Sequence, residues 1–546
     1  MKNLQNAVAV KSAFMGFGMT FLALFSSCED LSKINIDPTR AIPDKFDPNY
    51  FLSNCEWTYL NGTMGHNGGS FFFQSGWAQI LASPSVGGAV YYSNMDKYVP
   101  SGNTNLYIAG KWDACYQSAT FAKRIITDTE GKTGYDNLVS VAKIMLVLNI
   151  HYITDLYGDC PYSEAFQAAA RNVRPVYDSQ QTLYTVLLSE LEAAISQLDA
   201  SKEKPSADLI YDGDVAKWKR FGNSLMLRMA MRLIKADPAK AKIYAEKAAA
   251  GGTFASTDDN AFIKCNFGSG YPNGYAHDLL VPTDFYQVRW SKTLIDFLQS
   301  TKDPRVSAIA EIPDAGYVAN NDQKKLTGDN TADNQRGMPN GYDLNGGATD
   351  ISKSPGYPGG TGSGDDVAPI GKYSRPRMSV YADRSGNVFI YSYAQTELLL
   401  AEAAVRKFNV SGSAAEHYNN GLVGAMQAMK VIGANAAISD AIATAYAAAH
   451  PLDVSSTDNS LKMINEQYWA TSGCLFDFVE AWSNWRRTDY PKLIPVVYNG
   501  NFSSGQIPRR QPYPTTENTS NSASYSAAVA NLAGGDKWIS RVWWDK

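Results

Sequence analysis

Apolar residues recur every three or four positions in residues 141–157. The positions that share one helical face are Val141, Met145, Leu148, Tyr152 and Leu156. This spacing predicts an α-helix, and further apolar residues between these positions predict that it is buried on most sides. Gly158 suits the end of the helix, and Pro161 prevents its continuation.

The same spacing returns in pairs of neighbouring stretches later in the chain. Residues 215–235 are followed by residues 239–250, and residues 391–408 by residues 413–431. Pairs of amphipathic helices that cannot bury both faces alone are the units of tetratricopeptide-like stacks. We therefore predict a mainly α fold, a tetratricopeptide-like helical-hairpin scaffold with long irregular loop insertions.

Three stretches lack a clear helical period and are predicted to be those insertions. They lie at about residues 51–111, 265–290 and 311–388, and they are rich in glycine and aromatic residues. Long loops in a compact domain are usually functional or disordered. We therefore expect these loops to be candidates for function, while the helices form the scaffold.

The first thirty residues have the pattern of a secretion signal. Lys2 and Lys11 precede an uncharged apolar run at residues 13–25, and two serines lead directly to Cys28. A basic start, a short apolar core and small residues at the exit predict a signal peptide at residues 1–27. The apolar run is too short for a permanent membrane span.

The cysteine at the exit of this signal resembles the acylated cysteine of bacterial lipoproteins, so Cys28 is the predicted lipidation site. The alternative is an ordinary signal peptide followed by an incidental cysteine. Glu29 and Asp30 come next, and acidic residues there resemble the signal for display on the outer face of the outer membrane in Bacteroidetes lipoproteins. Residues 28–50 are polar, contain three prolines and are predicted to form an extended tether.

Composition excludes some functions and leaves others open. Apolar residues make up 45% of the 546 residues and charged residues 19%, as expected for a folded protein with a large core. The net charge of −4 argues against a nucleic-acid partner, which requires clustered basic residues. The five cysteines beyond Cys28 are odd in number and show no CxxC spacing, so we predict buried thiols and no disulfide framework.

Motifs for catalysis and metal binding are missing from the sequence. There is no HExxH, GxSxG or EF-hand pattern, and the five histidines show no metal-ligand spacing. We expect no cofactor and no metal. A pair of carboxylates for glycoside hydrolysis stays open as an alternative, because the two partners need not be close in sequence.

Aromatic residues in two of the loops are the candidate ligand contacts. They are Trp77, Tyr91, Tyr92 and Tyr98 in one loop and Tyr271, Tyr275, Tyr286 and Trp290 in the other. Sugar rings have apolar C–H faces that stack on such side chains, and a pocket adds a few polar groups. The alternative is that these aromatics seal the loops onto the helices. If alanine at Trp77, Tyr92 or Trp290 leaves binding unchanged, the stacking surface is expected around Tyr342 and Tyr357 of the glycine-rich loop at residues 337–371; if it lowers stability instead, these residues are core.

Several motifs, in order along the whole chain, together resemble one protein family. They are INIDPTRA after Cys28, DLYGDCPYSEAF at residues 155–166, KWKRFGNSLMLRMAMRLI, SKTLIDFL followed by DPRV, YSYAQTELLLAEAA, FVEAWSNWRRTDYP, IPRRQPYPTTEN and the closing VWWDK. This set resembles the SusD/RagB family of nutrient-binding outer-membrane lipoproteins. The resemblance implies a single SusD-like α-helical body at residues 51–546.

The resemblance also carries functional expectations. Members of this family are not enzymes; they cover a SusC-like TonB-dependent transporter and pass oligosaccharides or peptides to it. The motifs themselves are mostly structural, and we interpret Arg486, Arg487, Arg509 and Arg510 as internal braces, since guanidinium groups suit carbonyls and carboxylates within a fold.

The leading hypothesis is a lipid-anchored protein, facing the cell exterior at the outer membrane, that captures a glycan and delivers it to a SusC-like transporter. Peptide capture is the alternative within the same family. A surface glycoside hydrolase is a third reading, and a purely structural partner of the transporter is a fourth. The aromatic loops slightly favour glycan over peptide.

The lipid anchor yields the first testable prediction. Because no other segment of the sequence is expected to hold the protein in a membrane, Cys28→Ala should release it from the membrane fraction. Fractionation of cells that lack the transporter, after a high-salt wash, measures this. A variant that stays in the membrane fraction would show that Cys28 is not the anchor.

Overall fold

A computed structural model describes residues 46–63, 69–88, 92–281, 287–313, 327–359 and 372–546. Residues 49–546 form one compact unit. The predicted signal peptide, Cys28 and nearly all of the predicted tether lie outside the described residues, as do Tyr91 and Tyr286.

The described chain is mainly helical, as the sequence predicts. Its nineteen helices are Asn49–Thr63 (α1), Gln74–Trp77 (α2), Ser93–Asp96 (α3), Thr104–Asp128 (α4), Asp136–Tyr157 (α5), Gln180–Gln197 (α6), Val215–Arg232 (α7), Pro238–Gly251 (α8), Gly274–Leu279 (α9), Lys292–Ser300 (α10), Arg305–Ile309 (α11), Met378–Tyr381 (α12), Tyr393–Val405 (α13), Ala414–Ile432 (α14), Asp440–Ala449 (α15), Thr457–Cys474 (α16), Phe478–Thr488 (α17), Thr515–Ser520 (α18) and Ser522–Ala530 (α19).

Short antiparallel strands join the loops to one another. They are Leu81–Ala82 (β1), Ala261–Ile263 (β2), Arg289–Trp290 (β3), Ala310–Pro313 (β4), Gly328–Asp329 (β5), Arg375–Pro376 (β6) and Val388–Tyr391 (β7). β1 pairs with β3, β2 pairs with β7, and β4 lies between β5 and β6. In the first pair Leu81 is opposite Trp290, so two of the predicted loops meet there.

The long helices pack mainly on their neighbours along the chain. α4 packs on α1 and α5, α6 packs between α5 and α7, and the predicted hairpins are confirmed as the pairs α7–α8 and α13–α14. Local sequence defines where the second pair begins. Ser392 with Gln395 and Ser413 with Glu416 form capping boxes, which satisfy backbone N–H groups at both helix starts.

All three predicted loops are partly helical, since α9 lies in the second and α12 in the third, and the first departs most from the prediction. Residues 49–63 form α1, and the end of the 51–111 stretch belongs to α4. The prediction of a loop is wrong there because the buried face of α1 includes the carboxylate of Glu56 beside Leu52, Cys55 and Tyr59. A charged residue on the buried face weakens the apolar period from which a helix is recognised.

Helix α5 runs through the centre of the core, as its apolar pattern predicts. It is long and apolar enough to cross a membrane, but 89% of its apolar window is buried inside the protein, which identifies it as a core helix. Gly158 follows it with φ +91°, a conformation that glycine adopts without strain. The five described cysteines are buried and unpaired, which confirms the prediction of free thiols.

A buried charge network joins the C-terminal end of α5 to distant helices. Asp155 accepts hydrogen bonds from Arg232 Nε at 2.9 Å, from Tyr184 Oη at 2.6 Å and from Trp544 Nε1 at 2.8 Å. Arg232 Nη2 also donates to Glu480 at 2.5 Å. Burial opposes ionisation of Asp155, but His151 and Arg232 outweigh it and hold the pKa of the carboxyl well below its usual range.

The four predicted brace arginines all bond within the fold. Arg487 makes two bonds of 2.7 Å to the carboxylate of Glu402, and Arg486 donates to the carbonyl of Asp155 at 2.8 Å. Arg509 bonds Asp545, and Arg510 donates to the carbonyl of Tyr157 at 2.8 Å. These contacts confirm the interpretation of the four residues as internal braces.

Substitution of Leu148 tests whether α5 belongs to the core. The leucine side chain is 2% exposed, so Leu148→Asp would place a charge in the apolar core and should lower the free energy of unfolding by about 3 kcal/mol. Denaturant unfolding measures this. Leu106→Asp is the matched control on an exposed helical leucine and should change stability little; equal effects of both changes would contradict the burial argument.

Substitution of Glu402, with stability measured at several pH values, tests the buried ion pairs. Burial opposes ionisation of this carboxyl, but Arg487 and Arg406 outweigh burial and lower its pKa from 4.5 to about 2. A carboxylate with a depressed folded-state pKa stabilises the protein above its unfolded pKa, and this stabilisation disappears as the pH falls through the folded pKa.

Glu402→Gln should therefore cost about 3 kcal/mol at pH 7, and the cost should shrink as the pH is lowered from 4.5 towards 2. Urea unfolding of both proteins at several pH values measures it. The exposed Glu130→Gln is the control and should show little loss. A cost for Glu402→Gln that is independent of pH would exclude the ion pair as its source.

Candidate ligand-binding cleft

The structure buries five of the eight aromatic residues that the sequence suggests as ligand contacts. These are Trp77, Tyr92, Tyr98, Tyr275 and Trp290. A ring without an exposed face offers no surface for a sugar to stack on, so the prediction is wrong for these five residues in this structure. They form part of the core, which was the alternative interpretation.

Packing explains why these rings are buried. Trp77 lies 5.3 Å from Trp482 between ring centroids and donates its indole N–H to the carbonyl of Asn94 at 2.9 Å. Trp290 packs on Phe476 at 5.9 Å, and its indole N–H donates to the carbonyl of Ile309 at 3.1 Å. Because each indole N–H has a partner inside the fold, the loops can place these large rings against the helices at no polar cost.

Tyr271 differs from the buried five. Its side chain is 49% exposed, and its ring makes a T-shaped contact with Trp57 at 4.9 Å between ring centroids. Tyr91 and Tyr286 lie outside the described residues. The structure therefore leaves Tyr271 as the one described member of the predicted set with an exposed ring.

A cleft of about 520 Å³ opens where parts of the loops converge. It is lined by Gln79, Lys292, Thr293, Asp296, Pro339, Asn340, Gly341, Tyr342, Ala348, Thr349, Ile494, Pro495, Val496 and Val497. The lining includes Tyr342, which the sequence indicates as the fallback site. Tyr357 is not part of it; both tyrosines pack on a small apolar cluster of Ala82, Met338, Ile351 and Tyr373.

Gln79 joins two walls of the cleft. Its side chain is buried, its amide donates to the carbonyl of Ile494 at 2.5 Å, and its amide oxygen accepts from the hydroxyl of Thr293 at 2.9 Å. One glutamine thus connects the loop after α2, the first turn of α10 and the segment after α17.

The glycine-rich loop is attached to the same frame. Asn340 donates to the carbonyl of Leu81 at 2.9 Å, and the N–H of Gly341 donates to Asp96 at 3.0 Å. Gly341 has φ +87°, and a Cβ there would lie 2.6 Å from a methyl group of Val496. Glycine is required at this position both for the backbone conformation and for close contact with the opposite wall.

A tyrosine fastens the outer side of the glycine-rich loop. The hydroxyl of Tyr498 donates to Asp343 and accepts from the N–H of Gly87 at 3.1 Å. Asp343 also accepts from the hydroxyl of Thr349 at 3.0 Å. Hydrogen bonds between distant segments therefore hold the cleft, while a continuous apolar core lies beneath it.

The lining combines apolar and neutral polar groups. Ile494 and Val497 are 79% and 81% exposed, so they present branched apolar side chains to solvent at the edge of the cleft. Lys292 and Asp296 form an ion pair with each other, which leaves the described lining without net charge. Within that lining Asp296 is the one carboxylate, whereas glycoside hydrolysis ordinarily needs two.

The described residues contain no cluster of histidine, cysteine and carboxylate groups that could hold a metal ion. The arrangement suits binding of a neutral, partly apolar ligand. Sequence reasoning missed Gln79, Ile494, Val497 and Tyr498. The run IPVVYNG at residues 494–500 was the available signal for these residues. It places apolar residues side by side in a segment that has neither the period of a helix nor that of a strand.

Comparisons with known proteins agree with this helical fold. A family model described as starch-binding and associating with the outer membrane matches residues 44–514. No curated protein sequence matches the chain significantly. Among solved structures, a chitin-binding protein is 29% identical with a TM-score of 0.76, over 91% of this chain and 100% of that one.

Two further structures share the fold at lower identity. A Bacteroidetes SusD-like protein is 22% identical with a TM-score of 0.75, over 92% of this chain and 100% of that one. A chitin-binding SusD homologue from Flavobacterium johnsoniae is 23% identical with a TM-score of 0.68, over 91% and 98% of the two chains.

Proposed function

The chain belongs to the SusD-like family of proteins that associate with the outer membrane, and from this premise we propose that it captures a glycan in the cleft beside Tyr342. The family description names starch as a ligand, and the titles of two structural neighbours name chitin. Both ligands are uncharged polymers of sugar rings, in keeping with a lining that has no net charge.

The cleft itself is the observation that carries the proposal. A sugar ring needs an apolar surface for its C–H face and fixed polar groups for its hydroxyls. The apolar surface comes from Tyr342 and from the apolar lip, which is formed by Ile494 and Val497 at the edge of the cleft. The polar groups come from Asn340 and Thr349. Because hydrogen bonds already hold these groups in place, little ordering cost is expected on binding.

Delivery to a transporter is the second part of the proposal. The protein would be held at the outer membrane by lipid on Cys28, would face the cell exterior, and would pass the glycan to a SusC-like TonB-dependent transporter. Support comes from the family membership and from the N-terminal sequence. Binding without hydrolysis is in keeping with the single carboxylate in the described lining.

Peptide capture is the second candidate, and one observation favours it. Ile494 and Val497 are exposed at the lip, and branched apolar side chains suit the side chains of a peptide as well as the faces of a sugar. The choice between these ligands is therefore tested directly with both classes.

Tyr342→Ala is the test of the cleft. The loss of a stacking ring is typically worth about 1 kcal/mol, so affinity should fall about fivefold or more. Calorimetry with chitooligosaccharides, maltooligosaccharides and a peptide library measures this. Tyr357→Ala is the matched control, because this ring packs on the same small cluster but does not line the cleft.

We expect the wild type and Tyr357→Ala to bind one of the oligosaccharides equally, and the two variants to remain folded with similar melting temperatures, because both rings pack on the same small cluster. Equal affinity in Tyr342→Ala would place the binding site elsewhere. Binding of peptides alone would favour the second candidate. Release of reducing sugar from the same samples would overturn the assignment as a binding protein.

A further inference from the structure

A short turn at residues 266–271 presents two aromatic rings to solvent. Phe267 is 51% exposed and Tyr271 is 49% exposed. The backbone groups of Asn266 and Tyr271 bond each other in both directions, at 2.7 and 2.9 Å, and Gly270 closes the turn with φ +84°. The two rings therefore project from a tight, hydrogen-bonded turn.

Neighbouring segments support both rings. The guanidinium of Arg384 lies 3.9 Å from the ring centre of Phe267, and the rings of Trp57 and Tyr271 make a T-shaped contact. The N–H of Phe267 donates to the hydroxyl of Ser385 at 3.1 Å. These contacts fix the orientation of the rings before any ligand arrives, which removes part of the ordering cost of binding.

The size of this surface favours a sugar over a protein partner. An aromatic side chain buries about 150–250 Å², so two half-exposed rings offer roughly 200 Å², far below the about 800 Å² that each partner contributes to a standard protein interface. One or two sugar rings need only the faces of such side chains. Asn266, Ser269 and Asp383 are exposed beside the rings and can bond hydroxyl groups.

We propose that this aromatic turn, defined as Phe267 and Tyr271 with Trp57 and Arg384, is a second contact site for a polymeric glycan. None of its residues lines the cleft beside Tyr342. The inference rests on the proposed function, because it assumes that the cleft binds a sugar. Its consequence is that a long chain that reaches both sites binds more tightly than a short one, since the second contact becomes intramolecular.

The test uses the double variant Phe267→Ala with Tyr271→Ala in the full chain. The probes are particulate chitin and insoluble starch for polymer retention, and the trisaccharides of both for cleft binding. Tyr50→Ala is the matched control, since Tyr50 is a similarly exposed aromatic residue outside the turn. Melting temperatures should match in all proteins because the substituted rings are half-exposed.

We expect the double variant to lose at least about threefold in affinity for the polymer that the wild type retains, with unchanged trisaccharide affinity. Retention equal to that of the wild type and of Tyr50→Ala would overturn the inference while leaving the proposed function intact. Loss of affinity for both the polymer and the trisaccharide would make the turn the primary site and not a second contact, which would also overturn the inference.

Two outcomes separate the remaining possibilities. A wild type that binds neither the trisaccharides nor the polymers overturns the proposed function, and the inference with it. A double variant that keeps full polymer retention but no longer co-purifies with the outer-membrane transporter would identify the turn as a protein contact, contrary to the inference.

Discussion

The rest of the structure depends on the hydrogen bonds and ion pairs that the buried carboxylate of Asp155 makes. This residue lies in the last turn of the central helix α5 and accepts hydrogen bonds from Arg232 of α7, Tyr184 of α6 and Trp544 near the C-terminus. A buried carboxylate without these partners would be strongly unfavourable, so the helices and the C-terminal segment must meet at this point. The network is therefore better viewed as a constraint on arrangement than as a simple source of stability.

The loops are joined to this scaffold in two ways, by buried aromatic residues such as Trp77 and Trp290, which belong to the core, and by hydrogen bonds. The cleft beside Tyr342 is joined mainly by hydrogen bonds, through Gln79, Gly341 and Tyr498, above the helical core. The proposed ligand contacts Asn340, Tyr342 and Thr349 lie in the segment between β5 and β6, outside the nineteen helices of the described chain.

The aromatic residues show where reasoning from sequence fails in this protein. Trp77 and Trp290 lie in stretches rich in glycine and asparagine, which are typical of exposed loops, yet both are fully buried. Tyr271 comes from the same kind of stretch and is exposed. Composition cannot separate these cases, since the same ring serves equally well to seal a loop onto a helix or to contact a ligand.

The sequence by itself determined the elements whose cause is local. Apolar spacing predicted α5 and the hairpins α7–α8 and α13–α14, because helical periodicity depends only on near neighbours. Tertiary structure decided the rest: Asp155 and Trp544 are 389 residues apart, and the cleft unites Gln79 with Ile494, which are 415 residues apart. No periodic pattern records such pairings, because the energy that selects them is gained only when distant segments are already packed together.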